Sequence, residues 1–161
     1  MNRGKQYEKI IHEFLEESGY DVVRLYDTMY GYSGVANPCD FVAYKNPNCL
    51  FIECKCTHNG TLNLKTDIRP SQWDGLMKRK DTKGALAGVL VWFVRLDKTL
   101  FVPIQTLLKL REAGEKSLSP QNVKVHHHFT LEGERKKIFF KYNSESFNTK
   151  VDILLEDLWV K

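Results

Sequence analysis

The stretch that most constrains this chain is Asn37-Pro38-Cys39-Asp40-Phe41-Val42-Ala43-Tyr44-Lys45-Asn46-Pro47-Asn48-Cys49-Leu50-Phe51-Ile52-Glu53-Cys54-Lys55. Two short apolar runs flank Asn46-Pro47-Asn48, residues with strong turn chemistry, and this predicts a β-hairpin. A turn centred between Asn46 and Pro47 sets Asp40 opposite Glu53. A turn with Pro47 at its second position sets Asp40 opposite Lys55 and diagonal to Glu53. In both registers Asp40, Glu53 and Lys55 share one sheet face, because strand side chains alternate with period two. Ile52, Cys54 and Cys56 then take the other face, which suits a core.

Two carboxylates facing each other across a sheet repel by some tenths of a kcal/mol or more. A bound divalent cation removes that repulsion. Oxygen ligands on a rigid strand pair, with water completing an octahedron, describe a Mg²⁺ site better than a Zn²⁺ site. A lysine two residues past the glutamate can hold a nucleophilic water or stabilise developing charge on phosphorus. The plain alternative is a surface Asp–Lys–Glu salt network across the hairpin.

At 161 residues the chain fits one domain, 1–161, and 42% hydrophobic residues suffice for a core, which excludes disorder. The net charge of +4 is compatible with nucleic acid and equally with a solvated surface. The four cysteines, Cys39, Cys49, Cys54 and Cys56, contain no C-x-x-C pair, so they read as reduced, packed thiols and not as a zinc site. The N-terminus lacks a signal-type apolar core, and the longest apolar run, Ala85 to Val94, is shorter than the ~20 residues of a membrane span. The expectation is a soluble cytoplasmic protein with no membrane contact.

In chain order, Tyr7, Ile10, Ile11, Phe14 and Leu15 recur at helical spacing and predict a helix over 4–18, with Glu8 on the border of its apolar stripe. Asp21 to Tyr26 reads as a strand. Thr28 to Pro38, with Gly31, Gly34, Tyr30 and Tyr32, reads as a projection whose tyrosines either stack on bases or pack on the scaffold. Thr57 to Arg69 reads as loop, and Pro70-Ser71 opens a helix to about Lys80. Lys78, Arg79, Lys80 and Lys83 at its end complement the helix dipole or touch phosphate. Ala85 to Val94 is continuously apolar, a strand buried on both faces. Then follow a strand over Thr99–Val102, a helix from Pro103 to about Ala113, a late hairpin of Val123–Leu131 and Lys136–Tyr142, and a short closing helix from Val151 to Trp159. His126, His127 and His128 cannot chelate together from one strand, since neighbours point to opposite faces.

Helix, strand, a hairpin carrying D…E-x-K, then helix and strand is an order that resembles the PD-(D/E)XK nuclease superfamily. Arg3-Gly4 with Glu8 looks like that family's first-helix motif, and Pro38-Cys39-Asp40-Phe41 with Phe51-Ile52-Glu53-Cys54-Lys55 looks like its catalytic hairpin. Pro70-Ser71-Gln72 matches a helix whose Gln reaches the site. Within the superfamily the chain resembles bacterial or phage RecU-type Holliday junction resolvases. That likeness runs on through Ala85–Val94, Phe101-Val102-Pro103 and Glu115-Lys116-Ser117-Leu118-Ser119-Pro120, although Ser71 stands where the RecU-type pattern has His.

The resemblance implies a restriction-endonuclease-like α/β fold, with a central mixed sheet flanked by helices and a stalk before the catalytic strand. It implies a homodimeric endonuclease that cuts four-way DNA junctions in recombination and repair, using Mg²⁺ with Mn²⁺ as a substitute. Asp40, Glu53 and the Cys54 carbonyl would hold metal, and Lys55 and Gln72 would order the water with support from Glu8. Tyr30, Tyr32, Arg3, Lys78, Arg79 and Lys80 would meet DNA, and recombination proteins are further candidate partners. The alternatives are a duplex-cutting nuclease on the same fold, or a non-catalytic DNA-binding recombination module.

Overall fold

The computed structural model describes residues 3–26, 37–136 and 139–159. The chain opens with α1 (Arg3–Glu17), whose Tyr7, Ile11, Phe14 and Leu15 form one buried stripe. Gly19 follows at φ 95°, a conformation that only glycine adopts freely. Then come β1 (Asp21–Arg24), β2 (Phe41–Lys45), β3 (Asn48–Thr57), β4 (Leu62–Asn63), α2 (Pro70–Met77) and β5 (Ala85–Phe93). A 3₁₀ turn at Val94–Leu96 leads to β6 (Lys98–Pro103), α3 (Ile104–Glu112), β7 (Ser117–Leu118), β8 (Phe129–Thr130), β9 (Gly133–Lys136), β10 (Phe139–Tyr142) and α4 (Ser144–Trp159).

Six strands form a mixed sheet in the order β1-β2-β3-β5-β6-β8. Its pairings are antiparallel except β3 with β5, which run parallel. Helix α1, three antiparallel strands, helix α2 and then a strand parallel to the third is the arrangement expected from the motif order. One core layer joins α1 and α4 to Leu50, Ile52 and Cys54 of β3, while the other joins α2 and α3 to Val89, Val91 and Phe93 of β5. Every residue of β5 is buried, because Leu86, Leu90 and Trp92 enter the first layer and Ala87, Val89 and Val91 the second. A strand covered on both faces has no polar phase, which explains the unbroken apolar run.

Several boundaries differ from expectation. Helix α2 stops at Met77, so Lys78, Arg79 and Lys80 lie at and beyond its end. The stretch Thr57–Arg69 holds β4, paired with β7, and sends Leu62, Leu64 and Ile68 into the core. The late hairpin is β9 with β10, not Val123–Leu131 with its successor, and Glu132-Gly133-Glu134 leads into a strand instead of forming the turn. Only Phe129–Thr130 of that earlier segment is strand, added to the main sheet beside β6. His126 to His128 therefore sit in a bend, where the His128 ring meets the His126 carbonyl at 2.9 Å. The closing helix starts at Ser144, seven residues before the predicted Val151. Helix phase was hard to read there because Ser144, Asn148 and Thr149 dilute the apolar stripe. The projection centred on Tyr30 and Tyr32 lies outside the described residues.

Candidate active site

The hairpin takes the first of the two predicted registers. Phe41 faces Ile52 and Tyr44 faces Cys49, with Asn46-Pro47 as the turn. The ladder ends at Phe41, and Asp40 donates its N–H to the Ile52 carbonyl at 3.1 Å, which sets it beside Glu53. Phe51 packs toward α2 and α3 while Ile52 and Cys54 pack toward α1, so Glu53 and Lys55 emerge on the α2 face.

Helix α2 supplies the third element. Its Gln72 is buried, at 7% exposure, and both ends of its amide make hydrogen bonds. Nε2 donates to Glu53 Oε1 at 2.9 Å. Oε1 accepts from Lys55 Nζ at 3.0 Å and from the Arg69 backbone N–H at 2.9 Å. Two donors at one end fix which end is oxygen, and so the Glu53 carboxylate must face N–H. The helix lies tight against the strand entry, because a Cβ on Gly75 would stand 2.6 Å from the Pro38 Cα. This close approach holds Gln72 at a fixed height above the Asp40 strand.

Asp40 joins the two faces. Its Oδ2 accepts the Cys54 backbone N–H at 2.9 Å, and its Oδ1 lies 3.5 Å from Arg24 Nη1. On the α1 side Arg24 Nη2 donates to Glu8 Oε2 at 2.8 Å. Glu8 thus reaches Asp40 through Arg24 and stands across the sheet from Lys55 and Gln72. Sequence reading missed Arg24. Its signal was a charged residue in phase with Val22, on the half-buried side of β1.

Glu53 is 4% exposed. Burial, then the charge of Asp40, pushes its carboxyl up to about 8 against the pull of Lys55. Burial and Asp40 also raise Glu8, opposed by Arg24. Burial pushes the Cys54 thiol well up, which leaves it a neutral core group. A strand residue's N–H and C=O point to the same side, so the Cys54 carbonyl faces the Asp40 side. Among the described residues no three His, Cys, Asp or Glu side chains gather as a metal-ligand cluster. The available donors are two carboxylates and a backbone carbonyl, all hard oxygens. A buried Glu53 carboxyl pushed up by the neighbouring Asp40 charge marks a place where a dication fits, since a dication offsets both carboxylates.

The remaining expected residues are dispersed. Arg3 Nη1 contacts the His58 ring at 3.0 Å, and its guanidinium lies 6.0 Å from the Trp92 ring centre. Arg79 donates to the Gly75 carbonyl at 2.9 Å and covers Phe51, which is the helix-capping reading of that cation. Lys80 pairs with Asp81 at 3.0 Å, while Lys78 is exposed. All four cysteines are free thiols. No helix among the described residues is long and apolar enough to cross a membrane.

The chain resembles known proteins in two comparisons. The archaeal Holliday junction resolvase (Hjc) family matches residues 1–138. A solved structure of Hjc, a Holliday junction resolvase from the archaeal hyperthermophile Archaeoglobus fulgidus, is 27% identical. That match covers 64% of this chain and 78% of the other, with a TM-score of 0.49. No curated protein matches the chain. The likeness to RecU-type enzymes therefore holds at the level of Holliday junction resolvases, and the family that matches is the archaeal one. This chain belongs to the archaeal Holliday junction resolvase (Hjc) family, structure-specific endonucleases that act on branched DNA.

Proposed function

We propose that this protein resolves four-way DNA junctions by Mg²⁺-dependent hydrolysis of one phosphodiester in each of two opposed strands, with Mn²⁺ able to substitute. The observation that carries this reading is the buried Glu53, held by Gln72 beside Lys55 and next to the partly exposed Asp40, in a chain of a resolvase family. Resolvase nucleases of this kind use a divalent metal. Asp40, Glu53 and the Cys54 carbonyl would hold it, and it would lower the pKa of bound water and offset charge on the leaving oxygen. Lys55 orients water from the side opposite Arg24, and Gln72 keeps the Glu53 carboxylate and the Lys55 ammonium in fixed relation. Arg24 and Glu8 orient Asp40 from α1. Arg3, Lys78, Arg79 and Lys80 contribute shape-blind attraction to phosphate.

The active assembly is a homodimer, because paired symmetric cuts require two equivalent sites about a dyad. Support comes from the β1–β2–β3 end of the sheet on the α2 side. There Val23 and Tyr44 are about half exposed, at 51% and 52%, beside half-buried Val42 and Phe51. Tyr30 and Tyr32 read the open centre of the junction, and recombination proteins are further partners. The deciding experiment is cleavage of a mobile four-way junction and of a linear duplex by wild type and by Asp40→Asn. Junction-selective, metal-dependent cleavage that disappears in Asp40→Asn, with junction binding kept or tightened, is the expected result. Full activity in Asp40→Asn removes the metal site, and equal cutting of duplex removes the junction specificity.

A further inference from the structure

A cavity of about 340 Å³ opens on the α1 side of the site, lined by Lys5, Glu8, Lys9, His12, Arg24, Tyr26 and Phe41. Its wall is layered. The Arg24 guanidinium lies between two rings, 4.8 Å from the Tyr26 ring centre and 5.3 Å from that of Phe41. His12 meets Phe41 edge-on at 5.5 Å. Phe41 is buried and forms the floor, whereas Tyr26 is 73% exposed and stands at the mouth. Asn37 Nδ2 donates to the Tyr26 carbonyl at 2.7 Å and so pins the backbone that carries this ring.

An exposed aromatic ring stacked on a cation, and not buried against apolar atoms, is a platform with one face open. Lys5 and Lys9 are four residues apart on α1 and lie on one side of the helix. Three cations, Lys5, Lys9 and Arg24, stand in the lining with one acid, Glu8, so the lining is cationic in excess. The volume is at the lower end of the roughly 300–1,000 Å³ of small-ligand pockets, too small for a duplex segment. Arg24 also touches Asp40, which makes the cavity the immediate neighbour of the carboxylate pair.

We propose that this cavity is a nucleotide subsite: the base next to the scissile phosphate stacks on Tyr26, and Lys5 and Lys9 receive that nucleotide's phosphate. The subsite rests on the nuclease reading above. It draws one unpaired nucleotide past Arg24, which aligns the following phosphodiester with Asp40 and Glu53. Stacking is indifferent to base identity, so the subsite selects for a nucleotide free to unstack.

The test uses the full-length protein and four-way junctions with 2-aminopurine placed in turn at each position flanking the crossover, in Ca²⁺ for binding and Mg²⁺ for cleavage. Wild type should change the fluorescence at one position, Tyr26→Phe should keep that change, and Tyr26→Ala should lose it. Tyr26→Ala should also raise KM for cleavage about ten-fold or more, the effect of one lost base stack. Lys9→Gln should reduce the slope of log affinity against log salt by about one. A fluorescence change in Tyr26→Ala equal to wild type overturns the subsite, even if cleavage is normal. A wild type that shows the Tyr26-dependent change but cuts nothing overturns the nuclease reading and leaves the subsite standing.

Discussion

Glu53 and Lys55 stand two residues apart on one strand face and yet form no direct ion pair among the described contacts; the Gln72 amide joins them, donating to one at 2.9 Å and accepting from the other at 3.0 Å. A direct pair would consume the charge of both groups. The amide instead leaves each with free valence toward a substrate while fixing their separation. Gln72→Ala should therefore lower the single-turnover rate of junction cleavage by about 10–100-fold, the range seen when outer partners of a metal site are removed. Junction affinity should stay within about two-fold, since no charge near phosphate changes. An unaltered single-turnover rate would show that Gln72 only caps its helix.

The protonation of Glu53 gives a second outcome. Its folded pKa of about 8 lies above the ordinary value of 4.5, so near neutrality the folded chain keeps a proton that the unfolded chain has lost. The resulting stabilisation is whole below the ordinary value and disappears as pH rises through the folded one. Metal-free protein should thus lose stability between about pH 5 and 8, with a slope near 1.4 kcal/mol per unit at most. Mg²⁺ requires the ionised pair, so its thermal shift should grow over the same window. Denaturation scans of wild type and Glu53→Gln decide this: the pH slope should flatten and the metal shift vanish in the variant. Parallel slopes in both proteins would place the titration elsewhere.

Much of this was legible in advance. The period-two argument sorted Glu53 and Lys55 from Ile52 and Cys54 correctly, because a buried strand leaves no freedom to slip by one residue. The pairing of Asp40 with Glu53 was one of two registers, and local sequence alone did not choose between them. Gln72 was reached by family likeness, since no periodicity says that a glutamine at the third position of a helix turns inward. Arg24 was missed for the opposite reason. Its meaning lies in Glu8 and Asp40, each 16 residues away in the chain, and only the sheet edge brings them together. The late hairpin was misplaced because Val123–Leu131 has strand-like composition, but Pro120 and the turns after it bury Val123 without pairing it.

Junction preference should reside in the segment between Tyr26 and Asn37 and not at the carboxylates, which see one phosphodiester that is the same in any DNA. Replacing Met29–Val35 by a short Gly-Ser linker should leave metal binding and fold intact. Its preference for junction over duplex should fall ten-fold or more, or about 1.4 kcal/mol per decade. Competition binding between the two substrates measures this directly. A preserved preference would move shape recognition to another surface.

The proposed dimer gives the last prediction. Val23 and Tyr44 face the α2 side in phase with Leu25 and Val42, which belong to that core layer. Yet α2 packs over β5, and this corner of the sheet remains open at 51% and 52% exposure. Large apolar groups left there are covered by association or they invite aggregation. A two-fold axis over this corner would make the contact self-complementary and would put both Glu53 carboxylates on the inner side of the pair, because they lie on the same sheet face. Val23→Asp with Tyr44→Glu then sets four carboxylates against one another at the axis while touching no core residue. Sedimentation should show a wild-type dimer and a double variant weakened ten-fold or more in self-association, with each monomer folded by circular dichroism. On a four-way junction the variant should nick single strands and lose the paired cut, since one site can still bind metal but no longer has its mate. A double variant that remains dimeric and resolves junctions normally would locate the interface elsewhere on the molecule.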